Sequence, residues 1–144
     1  MILKNQYPIC EFDTSKNPII HPSNFLTKNL PQKCVITYLG KELNRFAEEH
    51  KLPIIGCLNS EVFDIPIYEY VDGADRICIT MALCGGPGAA VAFEELHAMG
   101  CETFIVCGGA GALTNDSKVG EIVVPVSAVR DEGTSYHYLE PSRE

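Results

Sequence analysis

Positive charge is scarce in this chain. Eleven Lys and Arg stand against 19 Asp and Glu, giving a net charge of −8 and a pI near 4.9. Proteins that hold nucleic acid present clustered Lys and Arg to the phosphates, so no nucleic-acid partner is expected. Long apolar runs are missing too. No stretch approaches the roughly 18 residues needed to cross a bilayer, and no membrane partner is expected. The opening MILKNQYPIC carries one Lys and no apolar centre, unlike a secretory signal. The seven Cys are odd in number and contain no C-x-x-C pair, which argues against a disulfide framework. His21, His50, His97 and His137 are scattered, with no two at metal-ligand spacing on one element. Repeats and dividing linkers are absent as well. One domain spanning 1–144, cytoplasmic and with reduced thiols, is the expectation.

What remains is an ordinary globular composition, 46% hydrophobic and 21% charged, long enough to bury a core. Pro8, Pro18, Pro22 and Pro31 break up residues 1–31. Cys34 to Leu39 reads as a short strand, ended by Gly40, and Lys41 to His50 as a helix with Leu43, Phe46 and Ala47 on one face. Ile65 to Val71 alternates as a strand does. Asp72-Gly73 then turns the chain into Arg76–Leu83, apolar enough to be buried on both sides. Cys84-Gly85-Gly86-Pro87-Gly88 opens a helix from Pro87 to Met99, where a proline in the first turn loses no hydrogen bond. Gly100 ends that helix, and Cys101–Cys107 reads as a second buried strand. Glu121–Val126 reads as a final strand. Strands separated by helices imply an α/β sheet with helices packed on its faces.

Two glycine clusters are the candidates for carrying chemistry. Gly85-Gly86-Pro87-Gly88 is no Walker loop, because no Lys-Ser/Thr pair follows, and it misses the Rossmann spacing. It also suits a tight strand-to-helix turn. Gly108-Gly109-Ala110-Gly111 follows the carboxyl end of a strand, where open α/β sheets place ligands. Backbone N–H groups there can approach an anion or a sugar that a Cβ would obstruct. Glu94 and Glu95 are helix neighbours that do not face each other, which favours a surface or packing role. His97 reads as solvent-facing, and Arg130 with Asp131 as a structural ion pair.

Several blocks fall in a common order: Gly85 to Ala90, Glu94-Glu95-Leu96, Gly100, Gly108 to Leu113, Gly120 to Pro125 and Arg130 to Tyr138. Over residues 77–140 they resemble the nucleoside phosphorylase/uridine phosphorylase family. The resemblance implies a three-layer α/β/α sandwich around a mixed, partly barrel-like central sheet. It implies phosphorolysis of a nucleoside's ribose–base bond, with phosphate as co-substrate, no further cofactor and a homo-oligomeric assembly. Substrate-binding residues are then expected at Gly109, Ala110 and Gly111, with Gly86 and His137. The reaction passes through a cationic sugar, so it depends on positioning and electrostatics rather than on a protein nucleophile.

The match also has gaps. The family's later methionine–glutamate segment and C-terminal aspartate have no counterpart, so the chain is expected to be a truncated N-terminal portion without turnover of its own. Ile20-His21-Pro22-Ser23-Asn24 stands where a Gly-Asp-Pro loop with a following arginine is usual, and Val106 where a second arginine is usual. Those departures leave open hydrolysis by water, or a module that binds nucleoside without reacting.

Overall fold

A computed structural model describes residues 1–24, 26–60, 62 and 64–143. They gather into two compact units, Ile19–Gly109 and Met1–Pro18 with Ala110–Glu144.

The larger unit is built on a mixed five-stranded sheet. Numbering in chain order from two short strands of the smaller unit, β1 (Ile2–Leu3) and β2 (Phe12–Asp13), its strands are β3 (Lys33–Thr37), β4 (Ile54–Leu58), β5 (Ile65–Asp72), β6 (Asp75–Met81) and β7 (Thr103–Cys107). They lie in the order β4-β5-β6-β3-β7. β3 runs parallel to both neighbours, whereas β5 is antiparallel to β4 and β6. The two helices are α1 (Gly40–Glu49) and α2 (Gly86–Ala98). Observed and expected helices agree to within one residue at each end. β4 was not foreseen.

Register decides which helix covers which face. Cys34 pairs with Cys78 and with Phe104, and Ile36 with Thr80, so these residues share one side. Phe104 meets Phe93 of α2 at 5.0 Å between ring centroids, which puts α2 on that side. Tyr70 pairs with Ile77 on the other side and stacks on Phe46 of α1 at 5.6 Å. Side chains alternate across a strand, so α1 and α2 pack on opposite faces.

The core lies under α2. Ile36, Ile67, Leu96, Cys78 and Cys101 are fully buried there, with Ala92 and Met99 beside them. Burying a Leu or Ile side chain contributes roughly 1.5–3 kcal/mol, so this layer dominates the unit's stability. The wholly buried hydroxyl of Thr80 is satisfied: its Oγ1 donates to the Pro66 carbonyl at 2.9 Å. Cys34, Cys78 and Cys101 are free thiols buried in the same layer, where they act as small hydrophobes, whereas Cys107, whose apolar run suggested the same burial as Cys34 and Cys78, is exposed. α2 stops where Gly100 adopts φ 121°, and a Cβ there would lie 3.0 Å from the Leu30 carbonyl oxygen.

Two expectations need correction. β7 was expected to be buried, but it forms the sheet's edge, with Ile105 64% and Val106 50% exposed. Only β3 pairs with it. Glu121–Val126 was expected to be a strand but is irregular and exposed. Pro125 has no N–H to give a ladder, and without a partner an apolar run has no hydrogen bonds to hold it extended.

The smaller unit pairs β1 with β2 antiparallel and adds 3-10 turns at Pro8–Cys10 and Ser135–His137. Arg130 organises its C-terminal part. The guanidinium donates to Ser135 Oγ, Ser142 Oγ and the carbonyls of Leu139 and Glu140, and lies 4.7 Å from the Tyr136 ring centroid. Its role is structural, as expected, but through these groups rather than through an ion pair with Asp131. No helix of the described residues is long and apolar enough to cross a membrane.

Candidate functional site

The parallel register aligns three strand ends. Thr37 pairs with Met81 on one side and Cys107 on the other, so β3, β6 and β7 finish at the same edge of the sheet. From that edge the chain leaves through Tyr38-Leu39 into α1, through Ala82 to Gly85 into α2, and through Gly108-Gly109. α1 and α2 depart to opposite faces, so a crevice opens between the ends of β3 and β6. Open α/β sheets bind ligands at such a switch point. Gly86 and Gly109, chosen from sequence, are thereby brought to one end of the sheet.

Backbone shape is tightly set at α2's entrance. Gly85 has φ 98° and ψ 158°, a region that residues with a Cβ essentially avoid. Gly88 is required for a different reason. A Cβ there would sit 2.5 Å from Leu83 Cβ and 3.2 Å from the Leu83 carbonyl oxygen. Among the described residues no side chain caps the helix, which leaves the first-turn N–H groups of Gly86 and Gly88 without a capping oxygen from them. Pro87 has no N–H to leave unpaired. At the other loop, Tyr38 N–H donates to the Cys107 carbonyl at 2.9 Å, and the Tyr38 side chain lies against Gly108, where a Cβ would come within 3.3 Å. Around a Cβ built on Gly109 or Gly111 there is open space.

Sequence reasoning missed Tyr38, Leu39 and Gly40. It placed the comparable loop at Ile20–Asn24, but that segment packs elsewhere. Its 3-10 turn, Pro22–Asn24, lies against α2, and the following Asn29 and Leu30 N–H groups both donate to the Met99 carbonyl at 2.9 Å. Met99 caps the opposite end of α2 from Gly86.

A cavity of about 280 Å³ adjoins the α2 entrance, with Leu83, Pro87, Gly88, Val91 and Glu95 among its walls. Leu58 and Asn59, at the end of β4, close it from the other side. Burial pushes the Glu95 carboxyl up from its ordinary value. Glu95, expected to have a surface or packing role, is half-buried and forms the acidic wall of this cavity. His97 is exposed as expected, and its Nδ1 bonds to the Cys101 carbonyl at 3.0 Å.

The remaining chosen residues belong to the smaller unit. Ala110 and Gly111 are exposed there, and His137 is an exposed residue closing the 3-10 turn Ser135–His137. Among the described residues no group of three or more His, Cys, Asp or Glu could hold a metal ion.

Residues 32–144 match the model of the Phosphorylase superfamily. The chain belongs to that superfamily. It is 50% identical over 68 residues to a guanosine phosphorylase of Halorubrum lacusprofundi, covering 46% of this chain and 27% of the relative. A uridine phosphorylase of Thermococcus kodakarensis is 43% identical over 98 residues, covering 64% of this chain and 35% of the relative. A uridine phosphorylase of Escherichia coli is 39% identical over 68 residues, covering 47% and 26%. The matched stretch is thus between about a quarter and a third of these relatives' length. The fold agrees with the resemblance at the level of an α/β unit with a mixed sheet.

Proposed function

We propose that this phosphorylase-superfamily chain contributes the sugar-side wall of a site that cleaves the ribose–base bond of a nucleoside by phosphorolysis. Alignment of the Gly86 and Gly109 loops at one sheet edge, beside the crevice between β3 and β6, carries the reading. There Gly109 offers its backbone N–H group to the ribose or to phosphate, with no side chain to fill the space. Ala110 and Gly111 enter this scheme as substrate-binding residues from the family resemblance alone. His137 contacts the substrate or a neighbouring subunit in the same scheme. The whole protein is a homo-oligomer whose complete domain is the three-layer sandwich, and both compact units belong to that one domain; the superfamily match runs through both.

A second reading, hydrolysis, has its own support. Tyr38 to Gly40, Ala82 to Gly86 and Gly108-Gly109 include no Lys or Arg. A phosphate dianion would meet only backbone N–H groups and helix N-termini there, whereas water needs no counter-charge.

Two measurements test these readings. Titration calorimetry with uridine, guanosine and inosine should show binding that Gly109→Val abolishes while circular dichroism stays unchanged. Equal affinities would place the site elsewhere. Base release by the full-length protein, assayed with and without inorganic phosphate, should require phosphate. Release at the same rate in its absence would favour hydrolysis.

A further inference from the structure

We propose that the cavity beside α2 binds a small organic cation, an aryl- or alkylammonium, through apolar walls and the Glu95 carboxylate. The proposal goes beyond nucleoside cleavage and does not rest on it.

The cavity's shape and charge both point this way. Its volume of about 280 Å³ admits a single ring with a short arm. Leu58, Ile65, Leu83, Pro87, Val91 and Ala92 make its walls apolar, so a hydrocarbon body gains by entering. Asn59, Ser60 and Glu95 are the polar members of the lining, and no lining residue is Lys or Arg. Glu95 lies on the inward flank of α2, one residue before the fully buried Leu96. Among the described residues it makes no hydrogen bond and no ion pair, although other acidic side chains of this unit, Glu42, Glu69, Asp75 and Glu102, are paired with Lys or Arg. A carboxylate half out of water without a counter-charge favours any ligand that supplies one. Burial raises its carboxyl above the ordinary value, which is the expected mark of that deficit.

The complementary ligand follows from exclusion. An anion would be repelled by Glu95. A neutral hydrocarbon would fill the walls but further desolvate an unpaired charge, which costs free energy. A protonated amine on an apolar body satisfies both, through a charge-assisted hydrogen bond to the carboxylate at the cavity's polar end. The Asn59 side chain can meet a second polar group on the ligand. Val91 is 53% exposed, so the mouth of the cavity is open to solvent.

Benzylammonium, benzyl alcohol and benzoate have nearly the same shape and differ in charge, which makes them suitable probes. Each would be titrated into the full chain by calorimetry and by amide ¹H–¹⁵N shifts. Benzylammonium should saturate with shifts at Asn59, Val91 and Glu95, at least tenfold tighter than benzyl alcohol, and benzoate should not bind. Glu95→Gln should remove that tenfold preference and leave benzyl alcohol unchanged. Val91→Phe, which fills the mouth, should weaken both. Equal binding of amine and alcohol to the wild type would overturn the proposal without any variant needing to fold. So would a preference that survives Glu95→Gln, or shifts confined to other parts of the chain.

Discussion

Gly88→Ala is the sharpest probe of the α2 entrance, because the added methyl group has a known obstacle. Its Cβ would lie 2.5 Å from Leu83 Cβ, with the Leu83 carbonyl oxygen at 3.2 Å and its carbon at 3.3 Å. Ordinary carbon contacts begin near 3.5 Å, so turn and helix must separate by about an ångström. None of these atoms is the free end of a flexible side chain. Overpacking of this kind costs typically about 1–3 kcal/mol. Ala is favoured over Gly in a helix interior by up to about 1 kcal/mol, and by less in a first turn. The expected net loss is therefore about 1–2 kcal/mol, read in urea as a lower midpoint at unchanged slope. Leu83→Ala should give no relief, because the contact is with the β-carbon and backbone that alanine keeps. Leu83→Gly should relieve Gly88→Ala in part, because the carbonyl contact remains. A Gly88→Ala variant as stable as wild type would refute the close packing of Leu83 on this turn, and with it the stated reason for the glycine.

Leu96→Ala, at a fully buried position, should cost about 2–5 kcal/mol and lower the melting temperature without altering the fold; a loss under about 1 kcal/mol would mean that α2 does not seal the core. Glu95 should titrate with the sign of a buried acid. Its carboxyl is raised by burial, so the stability linked to its neutral form is present below the unfolded value and lost as pH rises through the folded one. Glu95→Gln should accordingly be more stable than wild type at pH 7 and match it near pH 3, measured by denaturant titration; equal stability at both would contradict the desolvation. The open edge of β7, with Ile105 and Val106 exposed, should make the chain associate as its concentration rises. Ile105→Lys should reduce that association in sedimentation velocity, and a wild type monomeric at every concentration would count against an exposed edge.

Much of the larger unit was legible because its signals are local. Leu43 and Ala47 repeat at helical spacing, Ile65 and Ile67 alternate, and Pro87 with Gly100 brackets α2. β4 escaped notice because Ile54-Ile55-Gly56-Cys57-Leu58 is short, is interrupted by glycine and joins the sheet through a register shift between Ile54 and Gly56. β7 and Glu121–Val126 were misjudged for a shared reason. Apolar composition shows that a segment can be buried, but burial needs a covering partner that composition does not name.

The candidate site divides in the same way. Gly86 and Gly109 stand out in the sequence because small residues follow apolar strands. Tyr38, Leu39 and Gly40 look like any loop, and they become part of a crevice only because β3 is inserted between β6 and β7. Glu95 looked like one of two surface acids until β4 arrived from nearly 40 residues earlier to form the cavity's far wall.

By itself the sequence determined α1, α2, the strands β3, β5, β6 and β7 and the glycine turns that bound the second helix, since backbone sterics, capping and side-chain periodicity act over a few residues. Tertiary structure alone decided the order β4-β5-β6-β3-β7, the faces taken by α1 and α2, and the meeting of three strand ends at one edge. Those choices depend on pairings between residues dozens of positions apart. Which pairing wins depends on the sum of hydrogen bonds and buried area over the whole sheet, a quantity no local stretch contains.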